Sequence, residues 1–225
     1  MSDVSRETSA ESPFAAHAAE LEVLSEVLAT VAVERGLIGP REVPRLWERH
    51  ILNCAVVSEL LDPVAQHLAD IGSGAGLPGL VLAIVRPDLQ VTLIEPLARR
   101  TAFLSETVQR LELSDRVEVM RGRAEDVRGR QFRYVTARAV APLDRLVGWC
   151  LPLVGPGGQI LAMKGSRAQE EIEAAQRMLA KNKLSAEILL CGVGIVDPAT
   201  TVVVVDKARS AMGGNAQNIP GGADV

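Results

Sequence analysis

The spacing of the apolar residues divides the chain near residue 66. Before that point, apolar residues recur at helical intervals over 13–36 and again over 41–62, and proline or glycine bounds each segment. We therefore predict two helices that form an N-terminal helical cap over residues 13–64. Within this cap His50 is a candidate site residue, although such side chains are more often exposed or hydrogen-bonded locally.

Beyond residue 66, short apolar runs alternate with helical segments. We predict seven strands, over 67–71, 91–95, 117–120, 134–138, 157–164, 184–191 and 200–207. Predicted helices cover 78–86, 97–111, 142–151 and 168–182. The last two strands have no helix between them, which indicates an antiparallel pair, while the others favour parallel pairing. The predicted fold class is α/β, a Rossmann-like, seven-stranded, mostly parallel sheet with an antiparallel last hairpin.

This predicted sheet domain extends over residues 65–209 and follows the helical cap. The segments 1–12 and 210–225 are polar or glycine-rich and lack periodicity, so we predict that they are disordered.

The turn between the first strand and its helix carries the strongest chemical signal. Residues 68–79 read Leu-Ala-Asp-Ile-Gly-Ser-Gly-Ala-Gly-Leu-Pro-Gly. Glycines permit positive φ and close approach of a ligand, and a helix N-terminus offers backbone N–H groups to a nucleotide-like molecule. Two fingerprints overlap here. Gly74-x-Gly76-x-x-Gly79 matches dinucleotide-binding loops, which is a weak signal alone, and Gly72-x-Gly74-x-Gly76 matches adenosylmethionine-dependent methyltransferases.

Three features favour the methyltransferase interpretation. Asp70 precedes the first glycine by two residues, where its carboxylate can anchor the loop or lie near the charged end of a ligand. The antiparallel hairpin predicted at the end of the sheet does not fit a dinucleotide-binding fold, which consists of two parallel mononucleotide-binding halves. A Pro-Gly-Gly sequence before an apolar run, at 156–161, is also typical of the methyltransferase sheet.

Two further positions suit a nucleoside. Glu95 ends the second strand, where an acid accepts hydrogen bonds from ribose hydroxyls in either interpretation; the alternative is a surface carboxylate that caps the next helix. Ala124 and Glu125 follow the third strand, where the adenine edge lies in such a fold. The alternative there is an ordinary charged turn.

Composition and charge limit the class of protein. The 225 residues are 48% apolar and 23% charged, and the three cysteines lie far apart and form no CxxC pair. These features predict a protein of a reducing compartment without a metal cluster. Neither a secretory signal nor an apolar run of roughly 18 residues is visible, so we predict a cytoplasmic protein without membrane association.

The charge distribution is uneven. The net charge is −4, yet residues 99–138 contain ten arginines and six acidic residues, a local balance of +4. Such a strip is either a phosphate-binding face or a set of solvated surfaces, and charge alone does not decide between them.

The ends of the fourth and fifth strands carry cations rather than an obvious general base. The fourth runs into Arg138 and the fifth into Lys164, and neither an Asn-Pro-Pro-aromatic nor an Asp-Pro-Pro-aromatic amine clamp follows the fourth. A cationic site without a base suits a nucleophile that already has a free lone pair, such as guanine N7. Catalysis can then rest on alignment and electrostatics.

Several of these motifs together resemble one family. They are Asp70-Ile-Gly-Ser-Gly-Ala-Gly-Leu-Pro-Gly79, Glu95-Pro-Leu-Ala-Arg-Arg-x-x-Phe-Leu104, Arg123-Ala-Glu125 and Ala137-Arg138-Ala139. This combination resembles the ribosomal RNA small-subunit methyltransferase G family, also called glucose-inhibited division protein B. The resemblance covers roughly residues 15 to 207, and the Leu-Pro step in the loop is not general to methyltransferases. It implies a monomeric class I methyltransferase that acts on N7 of a guanine in the 530 loop of 16S ribosomal RNA.

The motifs and the resemblance yield candidate site residues. Those predicted to bind S-adenosyl-L-methionine are Asp70, Gly72, Gly74, Gly76, Leu77, Glu95, Ala124, Glu125 and Arg138. Arg138 is also the predicted catalytic residue. Those predicted to meet RNA phosphates are Arg99, Arg100, Arg121, Arg123 and Lys164. One departure is Asn53-Cys54, where many relatives read Asp-Ser, and it leaves the role of the second cap helix open.

The predicted partner is 16S ribosomal RNA within the small ribosomal subunit or an assembly intermediate. With 3% aromatic residues the chain has few stacking platforms for a loose strand, which favours a structured particle over naked oligonucleotide. Three other functions remain open from the sequence. They are a small-molecule methyltransferase, an NAD-dependent oxidoreductase and, less in keeping with a complete cofactor loop, a non-enzymatic RNA chaperone.

Overall fold

One seven-stranded sheet organises the molecule. The computed structural model describes residues 13–64 and 66–207, so the predicted disordered segments 1–12 and 210–225 lie outside the described residues. The strands are β1 (His67–Ile71), β2 (Gln90–Glu95), β3 (Val117–Arg121), β4 (Phe132–Arg138), β5 (Val154–Lys164), β6 (Leu184–Cys191) and β7 (Thr200–Lys207).

The strand order is β3-β2-β1-β4-β5-β7-β6. The first five are parallel, and β7 pairs antiparallel with both β5 and β6. The predicted mostly parallel sheet with a reversed last hairpin is therefore confirmed. The order in which successive strands are added reverses between β1 and β4: β2 and β3 lie on one side of β1, and β4 and β5 lie on the other. In such sheets a crevice opens at the carboxyl ends of the strands at this point.

Helices cover both faces of the sheet. They are α1 (Ala18–Ala29), α2 (Val31–Glu34), α3 (Asn53–Ala55), α4 (Gly79–Val85), α5 (Ala98–Arg110), α6 (Leu143–Cys150) and α7 (Ala168–Lys181). The cap helices, α4 and α5 share one apolar core with their face of the sheet, whereas α6 and α7 form a second core on the other face.

The cap is part of the first core rather than an appendage. All seven residues of α4 are buried, because this helix lies between β2 on one side and α1 and α3 of the cap on the other. Leu21 and Leu24 of α1 are fully buried in the same core as Leu80 and Leu82 of α4. Fully burying one such leucine stabilises the fold by about 1.5–3 kcal/mol, so the cap is held firmly against the side of the sheet that carries the glycine loop and α4.

The second cap helix is not the single regular helix that its periodicity predicts. A 3₁₀-helix (Pro40–Arg45) leads into a π-helix (Leu46–Leu52), then α3, then a second 3₁₀-helix (Val56–Leu60). Leu46 and Ile51, the two buried residues of the π-helix, lie five residues apart, which is the i→i+5 span of its hydrogen bonds. The apolar face was therefore predicted, but the type of helix was not.

Within the two described ranges, no helix is both long enough and apolar enough to cross a bilayer.

Candidate active site

A cleft of about 700 Å³ opens at the carboxyl ends of the parallel strands. Its floor is the glycine loop after β1 and the end of β2. One wall comes from the turn after β3 at 122–125 and from the end of β4. The cap supplies the other wall through Leu37, Ile38 and His50. Of these three residues, only His50 was a candidate site residue from the sequence.

The glycine loop adopts conformations that suit glycine. Gly72, Gly74 and Gly76 have φ values of +66°, +55° and +89°, which strain any residue with a Cβ atom. The N–H groups of Gly72 and Ser73 donate to the carbonyl of Ile94, at 2.8 and 3.2 Å. The loop is thus bonded to the end of β2, and its backbone faces the cleft.

The glycines have different surroundings. A Cβ atom on Gly74 would meet only the Gly72 carbonyl, at 3.7 Å, so its open side is the cleft. A Cβ atom on Gly76 would lie 2.3 Å from Leu80 Cδ1, because that glycine packs against α4. Gly72, Gly74 and Leu77 line the cleft, whereas Gly76 does not and instead lets the loop pack on the protein interior.

Asp70 lies beneath the loop and does not line the cleft. Its Oδ2 accepts a hydrogen bond from the N–H of Gly79, at 3.1 Å, which ties the end of β1 to the start of α4. Its Oδ1 is buried without a hydrogen-bond partner among the described residues. Burial raises the pKa of Asp70 to about 7, against the opposing effect of the Gly79 hydrogen bond. Of the two roles predicted for this carboxylate, the geometry favours the loop anchor.

Glu95 is the polar centre of the cleft floor. Its side chain is 2% exposed, and its oxygens accept hydrogen bonds from the N–H groups of Gly74 and Leu97, at 3.1 and 3.0 Å. Arg100 Nη1 lies 3.7 Å from Oε2. An ionised carboxylate has about four acceptor positions, so each oxygen retains capacity for a further donor.

These features fit an adenosylmethionine-like molecule. Glu95 offers acceptors to a pair of hydroxyls, Gly74 leaves room for close approach, and Ile71, Ile94 and Trp149 add apolar surface. Ala124 is buried and Glu125 exposed in the turn after β3, and both line the cleft. Across 13–64 and 66–207, no cluster of three or more His, Cys, Asp or Glu side chains is arranged to hold a metal ion.

Arg138 reaches the cleft from the end of β4, and the cap holds it there. Its Nη2 donates to His50 Nδ1 at 2.6 Å and to the Arg49 carbonyl at 3.3 Å, and its Nη1 donates to Cys54 Sγ at 3.3 Å. The Asn53-Cys54 departure therefore bears on the site, since Cys54 contacts the predicted catalytic residue. Burial raises the pKa of the Cys54 thiol to about 11, so the contact is with a neutral thiol.

His50 connects Arg138 to a carboxylate. Its Nε2 lies 3.0 Å from Glu42 Oε2, on the side of the ring opposite to Arg138. Burial lowers the pKa of His50, and the charge of Arg138 adds to this effect while Glu42 opposes it. Sequence reasoning missed Glu42. It lies eight residues before His50, and only the mixture of 3₁₀- and π-helix brings the two side chains together.

The four predicted RNA-binding arginines differ in exposure and in distance from the cleft. Arg99, Arg121 and Arg123 are exposed and form no ion pair with any other described residue. Arg123 and Arg100 line the cleft, and Arg100 is half-buried beside Glu95.

Lys164 was predicted to contact RNA, but its side chain is largely buried and paired with a carboxylate, whereas a phosphate contact requires an exposed ammonium. Its side chain is 8% exposed, and its Nζ donates to the Ala141 carbonyl and to Glu171 Oε2, both at 2.7 Å. The same Glu171 oxygen accepts from the N–H of Leu143, at 2.9 Å. In this arrangement the lysine braces the segment after β4, and its ammonium is not presented to a phosphate.

Solved structures with the same fold include several methyltransferases. An O-methyltransferase from Bacillus cereus in complex with SAH superposes with a TM-score of 0.59 and 18% identity, over 82% of this chain and 90% of that one. P. horikoshii TYW2 in complex with MeSAdo superposes with a TM-score of 0.55 and 16% identity, over 69% of this chain and 61% of that one. These likenesses confirm the predicted fold class.

Sequence relatives identify the family. A protein from Thermobifida fusca named ribosomal RNA small subunit methyltransferase G is 60% identical over 183 residues, which are 80% of this chain and 76% of that protein. A protein of the same name from Streptomyces coelicolor is 57% identical over 194 residues, 84% of this chain and 80% of that protein. The family model described as rRNA small subunit methyltransferase G matches residues 17–194. The NAD-dependent alternative is left without support, and the chain belongs to the rRNA small subunit methyltransferase G family.

Proposed function

We propose that this chain is an S-adenosyl-L-methionine-dependent methyltransferase that methylates N7 of a guanine in the 530 loop of 16S ribosomal RNA. The observation that carries the proposal is the family match over residues 17–194, because that range contains every residue that lines the cleft. The proposed substrate follows from the family and from the cation that Arg138 places at the end of β4.

The chain's own residues bind and orient the donor. Glu95 would accept hydrogen bonds from the ribose hydroxyls, and the positive-φ backbone at Gly72 and Gly74 would permit close approach. Leu77, Ala124 and Glu125, which also line the cleft, would contact the rest of the nucleoside. When bound, the donor would supply an electrophilic methyl group on a sulfonium ion to the lone pair of N7.

Arg138 orients the reacting groups. Three of its five N–H groups donate to residues of the cap, and the other two, which donate to none of the described residues, can bond to the donor carboxylate or to guanine O6. No proton has to leave N7 before attack, which is why a cation rather than a general base suits this position. Rate enhancement then comes from alignment in a site whose dipoles are already in place.

Exposed arginines guide the RNA. Arg123, which lines the cleft, and the exposed Arg99 and Arg121 carry the positive charge that meets phosphates, and Arg100 lines the cleft beside Glu95. The substrate is the small subunit or an assembly intermediate rather than free oligonucleotide, and the enzyme acts as a cytoplasmic monomer. Phosphate contacts release counterions, so substrate affinity should fall steeply with salt, which a small-molecule methyltransferase would not show.

The direct test is mass-spectrometric mapping of modified nucleosides in 16S ribosomal RNA from cells with and without this protein. We expect 7-methylguanosine in the 530 loop only when the protein is present. Purified small subunits from the deficient cells should regain the mark with the protein and adenosylmethionine. An unchanged nucleoside map, or equal turnover on a short unstructured RNA, would contradict the substrate assignment.

A further inference from the structure

We propose that His50 is a positioning residue that holds Arg138 in its reactive orientation, and that it does so only while its imidazole is neutral. The inference rests on the proposed function, since it assigns Arg138 to the methyl-transfer site. It adds a residue of the cap to that site and makes the site responsive to pH.

The contact between the two side chains fixes their roles. Arg138 Nη2 lies 2.6 Å from His50 Nδ1, although the residues are 88 positions apart in the chain. A guanidinium has donors and no acceptor, so Nδ1 must accept this hydrogen bond. A protonated imidazole has a donor on both nitrogens and cannot accept. Protonation of His50 would therefore replace a hydrogen bond with a contact between two cations.

Glu42 fixes the ring from the other side. With Nδ1 accepting, the neutral ring carries its proton on Nε2 and donates it to Glu42 Oε2 at 3.0 Å. The carboxylate thereby selects the tautomer that Arg138 needs, in the way that an outer carboxylate orients a metal-bound or catalytic histidine. Two consecutive hydrogen bonds thus connect Glu42, through His50, to Arg138 in the cleft.

Among the described residues, three charged groups act on the protonation of His50, and a fourth acts on Glu42. Glu42 comes from the 3₁₀-helix, Arg49 from the same π-helix and Arg138 from β4, while Arg45 acts on Glu42. Burial, Arg138 and Arg49 disfavour the imidazolium, and Glu42 favours it, with a net lowering of the pKa of His50.

Neutral His50 therefore predominates at neutral pH. The hydrogen bond to Arg138 is lost as the pH falls below the ordinary histidine range, and activity should fall with it. Asp70, whose pKa burial raises to about 7, titrates in the same region, so the wild-type profile alone does not isolate His50.

Matched variants separate the two groups. An asparagine amide places an oxygen near the position of Nδ1, so His50→Asn keeps an acceptor for Arg138 but cannot titrate. His50→Ala removes the acceptor. Glu42→Gln keeps an acceptor for Nε2 but removes the charge that favours the imidazolium. His67→Asn, at an exposed histidine at the start of β1, is the control.

The measurement is kcat against pH from 5 to 9, with small subunits and adenosylmethionine at saturation. We expect His50→Ala to lose at least tenfold in kcat at pH 8 and His50→Asn to recover most of that loss. The acidic limb due to His50 should be absent in His50→Asn, should move to lower pH in Glu42→Gln, and should be unchanged in His67→Asn. An identical acidic limb in wild type and His50→Asn would overturn the proposal.

A second measurement needs neither substrate nor cofactor. ¹⁵N NMR of the folded, histidine-labelled protein should show His50 as the Nε2–H tautomer, with a pKa below the ordinary histidine value, and Arg138→Ala should raise the His50 pKa. An Nδ1–H tautomer, or a His50 pKa that Arg138→Ala leaves unchanged, would contradict the proposal even if the enzyme is active. If the wild-type protein does not methylate rRNA, the proposed function is refuted. The NMR result would still decide whether His50 accepts a hydrogen bond from Arg138.

Discussion

The two sides of the cleft are built in different ways. The donor side, which we define as the loop 70–79 with Glu95, is formed by backbone conformation and by hydrogen bonds to backbone N–H groups. The acceptor side, which we define as Arg138 with His50 and Glu42, is formed by side chains that bond to one another.

The difference has consequences for pH dependence and for tolerance of mutation. A backbone loop with positive φ cannot be replaced by other residues without strain, but most of its hydrogen bonds do not titrate. A line of ionisable side chains tolerates conservative replacement, yet its geometry depends on protonation. The donor side should therefore fail by steric intrusion, and the acceptor side by loss of charge or of an acceptor.

The largest effect is expected from a bulky residue on the donor side. Gly74→Val should weaken adenosylmethionine binding by at least about 10³-fold, because its side chain would project into the cleft where glycine leaves open space. The left-handed backbone adds about 1–2 kcal/mol of strain. Isothermal titration calorimetry with adenosylmethionine measures the loss.

Gly129→Val is the matched control for that variant. Gly129 has φ +70°, and a Cβ atom there would have no neighbour within 4 Å, so the variant carries similar strain at a position that does not line the cleft. Its affinity should stay within twofold of wild type. Equal affinity in Gly74→Val and wild type would remove the loop from the cofactor site.

On the acceptor side, Arg138→Ala should lower kcat by about 10²–10³-fold, the usual cost of removing one preorganised donor from a transition state. Circular dichroism and thermal unfolding should show a folded protein. Arg133→Ala is the control, because Arg133 lies on the same strand but pairs with Asp62 away from the cleft. Methyl transfer at the wild-type rate by Arg138→Ala would exclude this residue from the reaction.

A smaller effect is expected at the cleft mouth. Arg123→Ala should weaken binding to the small subunit about threefold to tenfold at moderate salt and reduce the salt slope by about one, as expected for one phosphate contact. Arg130, which lies further along the chain and pairs with Glu118, supplies the control Arg130→Ala. Filter binding at several salt concentrations distinguishes them, and the same slope in both variants would argue against a phosphate at Arg123.

The smallest effect concerns Asp70, a donor-side group whose titration falls near neutral pH. Because the folded-state pKa of Asp70 is raised to about 7, the folded protein holds that proton longer than the unfolded chain, and the contribution of Asp70 to stability declines as the pH rises from about 4 to 7. Asp70→Asn cannot titrate, so its melting temperature relative to wild type should rise by about 3 °C or more between pH 5 and pH 8.

Asp115→Asn, at an exposed aspartate before β3, controls for general charge effects. Its difference from wild type should be the same at both pH values. A pH-independent difference for Asp70→Asn as well would mean that Asp70 stays ionised in the folded protein throughout this range.

Much of the donor side was predictable from the sequence because its signals are local. Gly72, Gly74 and Glu95 lie at strand ends that the apolar runs and the turn residues mark, and the structure brings them together as expected. The predicted strand bounds of β1, β6 and β7 agree with the observed ones to the residue. Even here the sequence did not distinguish Gly74, which faces the cleft, from Gly76, which packs inward.

Lys164 and Glu42 mark the limit of local reasoning. A lysine at a strand end has the same sequence signal whether it is exposed or paired with Glu171, and its burial depends on where α7 lies. Glu42 has no signal at all, since the distance to His50 depends on an irregular helix whose period the apolar pattern did not reveal.

The sequence by itself determined the sheet, the glycine loop and the family, because strand alternation, turn chemistry and a specific motif are all encoded within short stretches of chain. Only the tertiary structure decided that the cap packs against α4, that Arg138 meets His50 across 88 residues, and that Lys164 is turned inward. The physical reason is that side-chain hydrogen bonds between distant segments depend on packing, and packing is a property of the whole core rather than of any one stretch.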